Sequence, residues 1–207
     1  MMATPFEILP NVQGQRRVVL HANDWTTDFL QAIYVEGDMI LDESYSDEMV
    51  REAIRQSDVV VLLGHGTHHG LFFFNREGLP DMELNHVLPY LGLRMIDSKY
   101  ADLLRQKTVI AIFCHAADFG QANGLHGLFT GMVASEVDEA YACRIHLSEY
   151  EEENMELMNQ RYIADFRDCL DHNELSCVPA AMVEKIQETD PESELVNYNY
   201  HSMTYLK

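Results

Sequence analysis

Positive charge is what this 207-residue chain has least of: 14 Lys and Arg stand against 34 Asp and Glu, for a net charge of −20. A surface of that sign repels phosphate backbones and argues against nucleic-acid binding. Long apolar runs are also missing, and those present are far too short to span a bilayer. The start, Met1 to Pro10, has neither a basic n-region nor an apolar h-region, so no secretory signal is visible. Cysteine is sparse. Cys114, Cys143, Cys169 and Cys177 include no C-x-x-C pair, which excludes a zinc knuckle and a thioredoxin motif. Free thiols in a reducing cytoplasm are the expectation. Internal repeats, low-complexity tracts and domain linkers are absent too. The chain reads as one domain, with a core over about 16–140 and a helical and edge-strand elaboration over 141–207.

What the chain does hold is enough apolar residue, 47 %, for a sizeable core. Its acid is unevenly spread. From Glu136 onward 17 acidic residues face 5 basic ones, or −12, leaving −8 for the first 135 residues. That is compatible with basic peptide partners, and it also serves simply to solvate exposed helices.

The stretch Ser57-Asp-Val-Val-Val-Leu-Leu-Gly-His-Gly66 organises the rest. Val59 to Leu63 run without a polar break and end at glycines, as a strand buried on both faces of a parallel sheet does. His65 is the first polar side chain beyond the run. It falls just past the carboxyl end of a central strand, where open α/β sheets place ligands and catalytic groups. Thr108-Val-Ile-Ala-Ile-Phe-Cys114 repeats the design and ends in a thiol. Two adjacent parallel strands ending in His and in Cys bring a base and a nucleophile to one edge.

In chain order, 16–22 reads as a first strand, 28–33 as helical and 38–41 as a short second strand. Residues 47–56 form a helix capped by Ser46, with Met49, Val50, Ala53 and Ile54 on one face. The aromatic stretch after Gly66, closed by Pro80, suggests a small hairpin over the carboxyl edge. Residues 82–90 read as a short helix and 97–106 as a clearer one, capped by Asp97 or Ser98. Glycines 120 and 124 mark 115–126 as a loop, and 128–134 as another buried strand. Ser135 and Asp138 have capping-box spacing for a helix starting at Glu136, and Ser148 and Glu151 repeat it. Met155, Met158, Tyr162, Phe166 and Cys169 then form the buried stripe of a helix reaching His172. A helix over 179–187, a polar break over 189–194 and a final edge strand over 197–205 complete the chain. This alternation predicts a three-layer α/β/α sandwich with a mainly parallel sheet.

The two strand ends suggest a chemistry. A thiol is a good nucleophile only as thiolate, and an imidazole can take its proton and later return it to a leaving amine. The glycines beside His65 allow a substrate backbone to approach, and the amides of Gly66 and Cys114 are candidates to face a developing oxyanion.

An apolar strand ending in His65-Gly66, then one ending in Cys114, then Gly-Leu-Phe-Thr-Gly-Met-Val-Ala-Ser135, resembles the caspase-like (clan CD) cysteine peptidases, which include caspases, gingipains, separases and CHAT domains. Gly-His-Gly, Phe-Cys-His-Ala-Ala-Asp118 and Gly-Met-Val-Ala-Ser-Glu136 are similar to bacterial proteins of this type. The match covers about 16–140. The resemblance implies His65 as general acid and base, Cys114 as nucleophile, the Gly66 and Cys114 amides as oxyanion hole, and a thioacyl-enzyme. It implies a peptide or protein substrate and no cofactor. Around the thiol, Phe113-Cys-His-Ala departs from the caspase pattern, so an aspartate preference is not carried over. Several relatives select Arg or Lys with an acidic residue, which nominates Glu136 or Asp118 as the floor of a basic-residue pocket. Glu136 is explained equally by the macrodipole of the helix it opens.

Two other functions compete. A metal-dependent hydrolase would draw on His65, His68, His69, Cys114 and His115, although H-x-x-H-H lacks the spacing of common zinc motifs. A latent or non-catalytic module would bind partners through its acidic helices. Cys143, Cys169 and Cys177 read as packing residues.

Overall fold

The structure, a computed structural model, describes residues 7–73 and 95–207. The expected helix over 82–90 and most of the aromatic stretch closed by Pro80 lie outside the described residues. Among the described residues, six strands form the main sheet: β1 (Arg17–His21), β2 (Met39–Leu41), β3 (Val59–Leu63), β7 (Thr108–Ile112), β8 (His126–Thr130) and β9 (Met203–Leu206). Their order is β2-β1-β3-β7-β8-β9, parallel except for β9, which runs antiparallel to β8 at the edge. Strands β4 (Gly66–Thr67), β5 (Gly70–Phe72) and β6 (Met95–Ile96) make a small antiparallel sheet that starts just past the carboxyl end of β3.

Alternate residues of the parallel strands feed two apolar layers. Val18, Leu20, Val60, Leu62, Val109 and Ala111 face one side with Phe119 and with Val50, Ala53 and Ile54 of helix α1 (Asp47–Gln56). Val19, Val61, Leu63, Ile110, Ile112 and Leu128 face the other. There they meet a 3-10 helix (Trp25–Ile33) and the helices α6 (Met155–His172), α7 (Val178–Thr189) and α8 (Glu194–Tyr200). The chain is therefore mixed α/β, a mostly parallel sheet with helices on both faces. The 141–207 segment supplies most of one helical layer. No helix among the described residues is long and apolar enough to cross a membrane.

Local chemistry sets the helix ends. The Ser46 hydroxyl accepts from the Met49 N–H at 3.3 Å, and acidic Asp47 and Glu48 occupy the first turn of α1. The expected helix over 97–106 is a short 3-10 turn (Ser98–Tyr100), capped by Asp97, followed by α2 (Ala101–Leu104). Ser148 and Glu151 form their reciprocal cap at α5 (Glu149–Glu153), immediately before α6.

Three expectations are corrected. Residues 115–126 are not a loop: Ala116–Asn123 is helix α3. A methyl on Gly120 would fall 2.8 Å from both Phe129 and Leu206, so this glycine lets the helix lie close on the sheet. Gly124, at φ 62°, is its left-handed C-cap. Neither glycine breaks the helix. The expected strand over 197–205 is instead α8 followed by β9. Ser193 caps α8, and the helix lies between two apolar clusters, with Tyr200 in one and Leu195 and Tyr198 in the other. Burial on both flanks produces an alternation that imitates a strand. Finally, helix α4 (Val137–Ala142) is capped through Glu136 and Glu139, not Ser135 and Asp138; the Glu139 carboxylate accepts from the Glu136 and Ser135 amides at 3.2 and 2.9 Å.

Candidate active site

Strand register brings the candidate residues together. His21, Leu63 and Ile112 share one rung across β1, β3 and β7. His65 and Cys114 each follow that rung by two residues, past the ends of neighbouring parallel strands. Gly66 packs against the residue before the thiol: a Cβ there would fall 2.3 Å from Phe113 Cδ2. Only glycine permits so close an approach of the two strand ends. His65 and Cys114 line one small cavity with Thr27, Leu30, Val133 and Tyr162.

The thiol end is held firmly. The buried Thr130 hydroxyl accepts from the Phe113 N–H at 3.2 Å and donates to the Phe113 carbonyl at 2.9 Å. His115 follows in a left-handed conformation, φ 64°, at the N-terminus of α3. Such a conformation in a non-glycine residue is uncommon and stores strain beside the sulfur. The Cys114 thiol donates to the Val133 carbonyl at 3.7 Å. Burial pushes it up to about 12, and the Glu139 carboxylate adds to that. In this arrangement the sulfur is a protonated thiol.

Behind the imidazole stands a group that the sequence reading did not identify. The Asp24 carboxylate, buried, accepts from the Thr26 N–H at 3.1 Å and the Thr26 hydroxyl at 2.8 Å. His65 Nε2 lies 2.7 Å from that hydroxyl oxygen and 3.7 Å from Asp24 Oδ2. A threonine hydroxyl has one proton, and a carboxylate only accepts. The Thr26 proton goes to Asp24, so its oxygen accepts from His65 Nε2–H. The hydrogen-bond network thereby assigns a proton to His65 Nε2, and in the neutral ring Nδ1 is the nitrogen that can take one up. Asp24 was legible in principle: Asn23-Asp-Trp-Thr-Thr27 follows a strand and has Asx-turn chemistry.

The proposed pocket acids separate. Asp118 is exposed on α3 and pairs with His115 at 3.1 Å; it does not line the cavity. Glu136 opens α4 one residue after the cavity-lining Ser135, and the charges of Glu139 and Glu136 both reach the thiol. His68 and His69 lie against each other at the turn between β4 and β5, with ring centroids 3.9 Å apart and the rings tilted by 45°. Among the described residues, no three His, Cys, Asp or Glu side chains gather as a metal-binding set. Cys169 is buried in the core, Cys177 is exposed, and Cys143 accepts from the Tyr198 hydroxyl at 3.4 Å.

No family model, curated protein or solved structure matches this chain. The reading of function therefore rests on the residues themselves.

Proposed function

We propose that the chain is a cysteine endopeptidase of caspase-like type, with Cys114 as nucleophile and His65 as general acid and base. The single observation behind this is the shared site: an imidazole and a thiol, each two residues past one rung of two adjacent parallel strands, line one cavity. In the proposed cycle, the sulfur turns from the Val133 carbonyl and gives its proton to His65 Nδ1. The thiolate attacks the scissile carbonyl carbon, whose oxygen gains the negative charge near the Gly66 and Cys114 amides. His65 returns the proton to the departing amine as the C–N bond breaks. Water then hydrolyses the thioester and regenerates the thiol. Thr26 and Asp24 hold the imidazole throughout. Acid beside the sulfur, from Glu139 and Glu136, favours a basic residue on the acyl side of the bond cleaved; Glu136 is the better of the two proposed acids because Asp118 faces His115.

A second reading, a latent module, is favoured by one observation: the thiol lies buried against Val133, and burial holds its proton. A peptide library rich in Arg and Lys separates the two. Cleavage by wild type that disappears in Cys114→Ala supports the peptidase. Cleavage that survives in Cys114→Ala refutes the thiol mechanism, and no cleavage by wild type favours the latent module.

A further inference from the structure

A second hydrogen-bond chain meets the first at Asp24. His21 is buried at the end of β1. Its Nδ1 lies 2.7 Å from the Tyr34 hydroxyl and its Nε2 lies 3.1 Å from the Thr27 hydroxyl oxygen. The Thr27 hydroxyl donates to the Asp24 carbonyl at 3.0 Å, and the Thr27 N–H donates to the same carbonyl at 2.9 Å. The donor count fixes the direction. Thr27 spends its only hydroxyl proton on a carbonyl, so it accepts from His21 Nε2–H. His21 Nδ1 then accepts from Tyr34 O–H. Every partner agrees with a neutral ring: burial lowers His21 to about 4 and raises Tyr34 to about 12.

We infer that His21 is a positioning residue for the proposed acid–base histidine. It acts through Thr27 on the Asp24 backbone, and through the Asp24 carboxylate and Thr26 on the His65 tautomer. The inference rests on the peptidase reading. One chain holds the Asp24 carbonyl and the other leaves from its carboxylate, so this one turn carries both. Asp24 and Thr26 contact the site directly or through one atom. His21 is a layer further back, and Thr27, which lines the cavity, reaches His65 through the Asp24 backbone. Outer-layer partners of this kind commonly fix the tautomer and angle of a functional imidazole. A neutral His21 suits the task. Protonating it would place a hydrogen on Nδ1 and oblige the Tyr34 hydroxyl to turn and accept where it now donates, which reverses the first link.

The test uses the full-length protein with ¹⁵N-labelled histidine. The His65 tautomer is read from its ring nitrogen shifts, and Cys114 reactivity from iodoacetamide labelling located by peptide mass spectrometry. The variants are Thr27→Val, Thr27→Ser, His21→Gln and Thr26→Val. Thr27→Val keeps the shape and removes the link. It is expected to turn the single Nε2–H form of His65 into a mixture and to slow Cys114 labelling about three- to tenfold, part of what general-base assistance supplies. Thr27→Ser is expected to restore both, which a purely packing role would not do. Should Thr27→Val not fold, His21→Gln takes its place: it is expected to disturb the His65 tautomer while Thr27→Ser does not, and an undisturbed tautomer there, alongside a disturbed Thr26→Val, overturns the inference. A wild-type tautomer and rate in Thr27→Val, alongside a disturbed Thr26→Val, overturns the inference and leaves the His65–Cys114 reading standing. If Thr26→Val and His65→Ala also leave Cys114 labelling unchanged, the peptidase reading fails and takes the inference with it.

Discussion

Asn199 is where the state of the thiol is most open to test. Its buried side chain accepts from the Ala134 N–H and donates to the Ala134 carbonyl, both at 2.9 Å. Nearby, Asn159 donates to the Ser135 carbonyl at 2.8 Å, and the Gly131 N–H donates to the Ser202 carbonyl at 2.7 Å. Helices α6 and α8 thus clamp the 131–135 segment, and the carbonyl of that segment's Val133 receives the thiol proton. Asn199→Ala removes two hydrogen bonds and leaves a buried N–H and C=O unpaired, which costs about 2–4 kcal/mol. The loss falls on the segment that covers the sulfur.

The expected gain in reactivity can be worked out. With the thiol at about 12, roughly one molecule in 10⁵ is thiolate at pH 7. Return to an ordinary thiol near 9 raises that fraction about 10³-fold. A less basic thiolate is also a weaker nucleophile, which takes back a factor of about 15–30. The net expectation is faster labelling of Cys114 at neutral pH, by up to about 30- to 60-fold where burial is fully relieved, and by less where the Glu139 and Glu136 charges still act on the thiol. Cys169, buried in the core, reports global unfolding in the same sample. In Asn199→Ala, Cys114 must react well ahead of Cys169, with a rate insensitive to low urea. If the two cysteines react together, the gain comes from whole-molecule opening, and the argument that this clamp guards the sulfur is wrong.

Three further expectations concern stability. His115→Gly relieves the left-handed backbone beside the thiol and loses only an exposed contact with Asp118, so it is expected to stabilise by about 1 kcal/mol, or about 2–4 °C in Tm by calorimetry; a Tm that falls refutes the strain. Asp38 is buried against Arg17 at 3.3 Å, accepts from Asn11 at 2.9 Å, and takes the Val35 N–H at 2.9 Å. Asp38→Ala strands the Arg17 charge and is expected to cost about 3–5 kcal/mol in urea unfolding, whereas a loss under 1 kcal/mol would contradict it. Neutral His21 protonates near pH 4 when folded and near 6.5 when unfolded. The unfolded chain therefore binds the extra proton between those values. Its contribution is complete above 6.5 and is lost as pH falls toward 4, by about 3 kcal/mol in all. Urea midpoints at pH 7.5 and 4.5 should separate more in wild type than in His21→Gln; equal separations exclude His21 as the source.

Much of the sheet was legible because its strands are doubly buried. Val59–Leu63 and Thr108–Ile112 are continuous apolar runs, and a run of that kind between turn residues has few other uses. The helices with strong caps, at Ser46 and Ser148, were equally readable. The errors fell where one residue type serves two ends. Gly120 and Gly124 have the composition of a loop, yet one is required by helix–sheet contact and the other by the helix terminus. Asn197 to Tyr200 alternates as a strand does because α8 is flanked by two cores. Such tertiary pressures leave no local mark that separates them from the simpler pattern.

The site divides along the same line. His65 and Cys114 could be found because each follows an apolar run, while their nearness depends on the register of β3 and β7, Leu63 opposite Ile112. Asp24, Thr26 and Thr27 could not be paired with them, because that link depends on where the turn after β1 comes to rest beside β3. The turn lies there because β1 and β3 are adjacent and in register, with His21 opposite Leu63. Three neighbouring strands then deliver, at one edge, an acid with its hydroxyl, an imidazole and a sulfur. Each is supplied by the first residues past its strand, which is why a short change of turn can alter the chemistry while leaving the sheet as it is. The sulfur differs from the other two in one respect. Asp24 and His65 are tied toward each other through Thr26, whereas Cys114 is tied to Val133, in a segment anchored by the C-terminal helices. Control of the thiol therefore lies with the helical layer contributed by 141–207, and control of the imidazole with the turn after β1.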